Sequence, residues 1–96
     1  MNRQQVLKLF RHCKPELQAR FGVTHLALFG STARDEATSD SDIDILVTFD
    51  NPATSKRFFG VQFYLEDLIG RPVDLVTEKA LRPELRPHVE REMVNV

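Results

Sequence analysis

The sequence predicts an α+β fold, a small mixed β-sheet of about three strands with flanking helices. Three observations carry this. Short, nearly continuous apolar runs stand at 25–29, 43–49 and 73–76. Longer stretches with apolar residues at helical spacing lie before, between and after them. Glycine and proline punctuate the joins, at Gly22, Gly30, Pro52, Gly70 and Pro72.

Residues 2–13 read as an amphipathic helix, with Val6, Phe10 and Cys13 on one face. Pro15 reads as the start of a second short helix with Leu17 and Phe21 buried, because proline suits a first helical turn. Gly22 is its stop. The first strand follows at 25–29 and ends at Gly30. Residues 31–36 suit a short helix capped by Ser31, and 37–41 a polar loop. The second strand, 43–49, puts Ile43, Ile45, Val47 and Phe49 on one face. Residues 55–69 form a helix whose expected buried stripe is Phe59, Phe63, Leu65, Leu68 and Ile69, stopped by Gly70. In the third strand Val73 and Leu75 oppose Asp74 and Val76. From Leu81, the spacing of Leu85, Val89 and Met93 predicts a last amphipathic helix starting near Pro83.

The chain has 96 residues, expected to form one domain over 1–96. Apolar residues make up 42% and charged residues 28%, an ordinary globular balance. A net charge of −1 argues against a surface held on nucleic acid by basic charge, so no direct nucleic-acid binding is expected. One cysteine, Cys13, excludes an intrachain disulfide. No apolar run is long enough for a membrane span, and the N-terminus lacks an apolar signal core. A soluble, cytoplasmic protein is expected.

The chemistry concentrates between Leu26 and Phe49. Gly30 at a strand end lets a ligand approach the backbone, and the following helix start offers unpaired N–H groups suited to phosphate. Alone, such a turn is an ordinary strand-to-helix connection. Asp42 and Asp44, two residues apart on a strand, share a face and repel. A hard divalent cation relieves that repulsion; a solvated acidic turn is the plainer alternative. Residues 40–44 begin like a calcium-binding EF-hand, but Ile45 and Asn51 stand where that loop needs glycine and glutamate. Asp74 interrupts an apolar strand, where a carboxylate needs a metal or a partner such as Arg71. If strands two and three adjoin, three carboxylates converge, as two-metal phosphoryl transfer requires.

Gly30-Ser31, ten residues, then Asp42-Ile43-Asp44 resembles the GS-x10-DxD motif of the DNA polymerase beta-like nucleotidyltransferase superfamily. The fuller text, LFGSTAR then SDSDIDILV, is similar to its smallest branch, the minimal nucleotidyltransferases. The resemblance covers nearly the whole chain. It implies that Gly30 and Ser31 bind nucleotide phosphate and that Asp42, Asp44 and Asp74 hold Mg²⁺, two ions in all. It implies further that Asp74 helps activate the acceptor hydroxyl. Arg34 matches the motif's arginine, serving either phosphate or an acidic neighbour. Asp35 departs from the family, which often has glycine there. The implied reaction moves AMP from ATP to a hydroxyl. Among minimal members the implied acceptor is a tyrosine of a HEPN-domain ribonuclease toxin, which the enzyme silences as antitoxin. Neutralisation by occlusion alone, and transfer to a small-molecule acceptor, stay open as alternatives. An oligomer also stays open. Phe58, Phe59, Phe63 and Tyr64 exceed what one core stripe needs, and part of that cluster suits docking.

Overall fold

The computed structural model describes residues 2–38 and 41–96. Ser39 and Asp40, within the loop expected at 37–41, lie outside the described residues. The elements are α1 (Arg3–Phe21), β1 (Val23–Phe29), α2 (Gly30–Ala33), β2 (Ile43–Phe49), α3 (Ser55–Ile69), β3 (Val73–Thr77), α4 (Arg86–Glu92) and β4 (Val94–Asn95). A 3-10 turn, Glu78–Ala80, follows β3. The fold is α+β, as expected, but the sheet has four strands, ordered β3-β2-β1-β4. β1 pairs antiparallel with both β2 and β4, while β2 and β3 are parallel.

The parallel pair follows from the chain between its strands. Parallel neighbours require a crossover, and α3 supplies it. Both strands therefore start at the same end of the sheet, with Asp44 opposite Asp74. One sheet face carries Leu26, Leu28, Ile43, Ile45, Val47, Val73 and Leu75, all buried in the core with α1 and α3. By strand alternation the other face carries Phe29, Asp44, Leu46, Asp74 and Val76. No helix among the described residues is long and apolar enough to cross a membrane.

Four details differ from expectation. Pro15 lies inside a single helix rather than starting a second one. Proline costs an interior hydrogen bond, yet Val6, Phe10, Cys13 and Leu17 form one buried stripe running through it. Burying Leu17 and its neighbours, at roughly 1.5–3 kcal/mol for each large side chain, outweighs that loss. At the N-terminus Asn2 and Gln5 form a reciprocal capping box. Second, α3 buries Val61 and Leu65, with Phe58, Tyr64 and Ile69 partly buried. Phe59 and Phe63 are 49% and 64% exposed, and Leu68 is also exposed. The helix is turned so that Tyr64 faces α1, where its hydroxyl donates to Glu16 at 2.7 Å.

Third, the tail helix begins at Arg86 instead of Pro83, and Leu85 is exposed. Val89 is its buried anchor, and Leu81 is buried ahead of it. Fourth, Val94–Asn95 forms β4, where an extension of the amphipathic helix was expected. Its pairing with Ala27 and Leu28 is continued by the Val96 N–H donating to the Leu26 carbonyl at 2.9 Å. Two paired residues leave no periodicity for a sequence to display.

Cys13 is buried, and burial pushes its thiol up, away from the reactive thiolate. His12, His25 and His88 are exposed.

Candidate functional site

The site forms where β1 ends. Phe29 lies opposite Asp44 on β2, and Asp44 lies opposite Asp74 on β3. The chain turns at Gly30 with φ +72°, a left-handed conformation that glycine adopts without strain. The lack of a side chain matters as much. A Cβ on Gly30 would collide with Asp44 Oδ2 and stand 3.0 Å from its Cγ. Gly30 thus makes room for the carboxylate beside it.

Asp42 lies immediately before β2 and is exposed, while Asp44 is half-buried. Asp74 is exposed, contrary to the expectation of a carboxylate enclosed in a buried strand. Its neighbours Val73 and Leu75 point into the core, so Asp74 faces the open side. The Asp44 carboxyl is pushed up to about 6. Burial is the largest cause, followed by the charge of Asp74, a hydrogen bond to it, and the charge of Asp42. Arg34 opposes the shift. Asp74 and Asp42 thus both act on Asp44.

They do not make a ready-built cage: no group of three His, Cys, Asp or Glu among the described residues is set to hold a metal. Such an open acidic set suits a hard cation that keeps water and substrate oxygens in its shell, as Mg²⁺ does. A cation would also relieve the charge that raises Asp44. Arg71, the other partner considered for Asp74, donates to the carbonyls of Thr38 and Ser41 at 2.9 and 2.7 Å, on either side of the acidic loop.

Ser31 was expected to cap the short helix. Instead α2 starts at Gly30, its cap residue is Phe29 with no side-chain bond, and Ser31 sits half-buried in the first turn. Thr32 beside it is buried, and its hydroxyl has no hydrogen-bond partner among the described residues. An orphaned buried hydroxyl is destabilising. Thr32→Val keeps the shape and removes the polar atom, so it should stabilise the fold by about 1 kcal/mol in urea titration. A loss of stability would mean that the hydroxyl does have a partner.

Arg34 pairs with two carboxylates, Glu36 at 3.1 Å and Glu92 at 2.8 Å. Glu92 also accepts the Gly30 N–H at 3.1 Å through its other oxygen. Nothing in the sequence pattern pointed to this role of Glu92. Its 58-residue separation from Arg34 gave no local signal. Asp35, where glycine was expected, adopts φ +60° and accepts the Arg3 N–H at 3.2 Å. Aspartate is among the residues that tolerate this conformation, so the turn persists without glycine.

Residues 11–96 match the family described as nucleotidyltransferase domain. The chain is 45% identical over 83 residues to the protein adenylyltransferase MntA of Thermococcus cleftensis, covering 86% of this chain and 84% of that one. A solved structure described as a candidate minimal nucleotidyltransferase superposes with TM-score 0.84 at 38% identity, covering 100% of this chain and 97% of that one. One chain of a complex between a tri-AMPylated HEPN toxin and an MNT antitoxin from Shewanella oneidensis shares the fold. There the TM-score is 0.60 at 22% identity, over 98% of this chain and 67% of that one. Motif, sheet topology and sequence identity agree: the chain belongs to the nucleotidyltransferase domain family, among its minimal nucleotidyltransferases, and nucleotidyl transfer is its class of reaction.

Proposed function

We propose that this protein transfers AMP from ATP to a tyrosine hydroxyl of a HEPN ribonuclease toxin and acts as that toxin's antitoxin. The observation that carries the reading is Asp44 against Gly30 and opposite Asp74 on the open face of the sheet, with Asp42 just before the strand. The activity in the name of the Thermococcus relative and the AMPylated toxin in the Shewanella complex support the donor and the acceptor class.

In this reading Asp42, Asp44 and Asp74 would hold Mg²⁺, which would supply positive charge to the polyphosphate. Gly30 admits the phosphates to the backbone, and Ser31 and Arg34 contribute donors to them. Asp74, exposed on the open face, accepts the proton of the attacking hydroxyl. The hydroxyl oxygen bonds to the α-phosphorus, the bond to the bridging oxygen breaks, and pyrophosphate leaves with the electron pair.

Labelled ATP, Mg²⁺ and a co-expressed HEPN partner should give a labelled partner, heavier by one or more AMP groups in intact mass. Asp42→Asn with Asp44→Asn should abolish the label. Label retained by that double variant would sink the assignment.

A second reading, neutralisation by occlusion, is favoured by one feature: Phe59 and Phe63, exposed on α3 with ring centroids 6.2 Å apart and nearly parallel planes. It requires the double variant to neutralise the toxin as well as wild type. Loss of neutralisation while the complex still forms excludes it.

A further inference from the structure

Glu92 occupies donors that the proposed reaction needs. One of its carboxylate oxygens accepts the Gly30 N–H at 3.1 Å, and the other accepts an N–H from Arg34 Nη1 at 2.8 Å. Its side chain is only 27% exposed. The contact is built by the fold rather than by a stray surface chain. Glu92 is the last residue of α4, and β4 begins two residues later, pinned to β1 by the pairing of Val94 with Leu28. That pairing lies two residues from Gly30 along β1, so the tail delivers the carboxylate to the turn. Arg34 is held from the other side by Glu36.

We propose that Glu92 is an internal anion that competes with the nucleotide's phosphates for the Gly30 and Arg34 donors, and so sets nucleotide affinity. The inference rests on the reading that these two groups receive phosphate. Gly30 has a single backbone N–H, which cannot serve a carboxylate and a phosphate fully at once. Two anions on one guanidinium also repel, so an incoming polyphosphate must displace Glu92 or bind more weakly beside it. Glu92 satisfies the Gly30 N–H and an Arg34 N–H, the donors a phosphate would take. Its release is part of the cost of binding.

The test is calorimetric titration with a non-hydrolysable ATP analogue plus Mg²⁺, on wild type, Glu92→Ala, Glu92→Gln and Arg34→Ala. Each variant is first checked for a wild-type thermal transition. Glu92→Ala should bind about tenfold more tightly than wild type. Glu92→Gln, which keeps an oxygen acceptor without the charge, should fall between them, and it carries the test if the alanine variant does not fold. A residue that merely braced Arg34 would weaken binding when removed, so the direction of the change decides. Unchanged or weaker binding by the Glu92 variants, with Arg34→Ala also weakened, overturns the competition and leaves the phosphate role of Arg34 standing. Unchanged affinity in every variant, Arg34→Ala included, overturns both.

Discussion

Asp44→Asn should melt at a higher temperature than wild type at pH 7.5 in metal-free buffer while losing nucleotidyl transfer by on the order of 10³-fold or more. The two effects have one origin. Asp44 sits half-buried among Asp74 and Asp42, and its carboxyl is raised to about 6. In the unfolded chain the same group titrates at its ordinary value of 3.8. Between those values the folded state holds a proton that the unfolded state has released. Stability from this group is therefore complete below the unfolded value and is lost as pH rises through about 6. At pH 7.5 the folded protein carries a repelled charge. Asparagine keeps the shape and removes the charge. Solvent screening at a half-exposed site limits the gain to about 1–2 kcal/mol. Thermal melts at pH 5.0 and 7.5 check this: the gap between variant and wild type should open as pH rises. A gap that is constant, or that narrows with pH, would refute it. Added Mg²⁺ should raise the melting temperature of wild type more than that of the variant.

Gly30→Ala should cost about 2–4 kcal/mol and remove activity. Two penalties coincide at this position. The φ of +72° disfavours any side chain, and the new Cβ would fall on the Asp44 carboxylate. Relief requires moving either the turn or Asp44, and each displaces a group assigned to the reaction. Gly70→Ala is the control. Gly70 has φ +74°, but nothing lies within 4 Å of the position its Cβ would take. It should cost only the conformational penalty, about 1 kcal/mol, with activity retained. Urea unfolding of both variants separates the steric effect from the backbone effect. Equal losses would show that Asp44 does not press on Gly30.

From the end of α1 to β3 the order of elements was legible because those joins are marked. Gly22 and Gly70 end α1 and α3, and the alternation through Ile43, Ile45 and Val47 fixes which face of β2 is inside. The placement of Asp44 opposite Asp74 was legible too, once β2 and β3 were taken as neighbours. Other features rest on tertiary balance. Pro15 stays helical because the buried stripe on either side of it outweighs one lost hydrogen bond. Phe59 and Phe63 face outward although they are among the most apolar residues of α3, because Val61 and Leu65 already fill the space over the sheet. Glu92 could not be found by pattern, since its partners lie about sixty residues away and are reached through the unforeseen strand β4.

The parallel pairing of β2 with β3 has a consequence for how the site comes into being. Asp42 and Asp44 reach the Gly30 turn through the antiparallel β1–β2 pair, a contact between segments close in the chain. Asp74 arrives only after the crossover through α3 has closed, and long loops are entropically slow to close. A chain that has folded through β2 and no further holds two of the three carboxylates and lacks Asp74, the group proposed above to accept the attacking proton. On the reaction proposed above, the set of carboxylates is thus complete only once this crossover has closed.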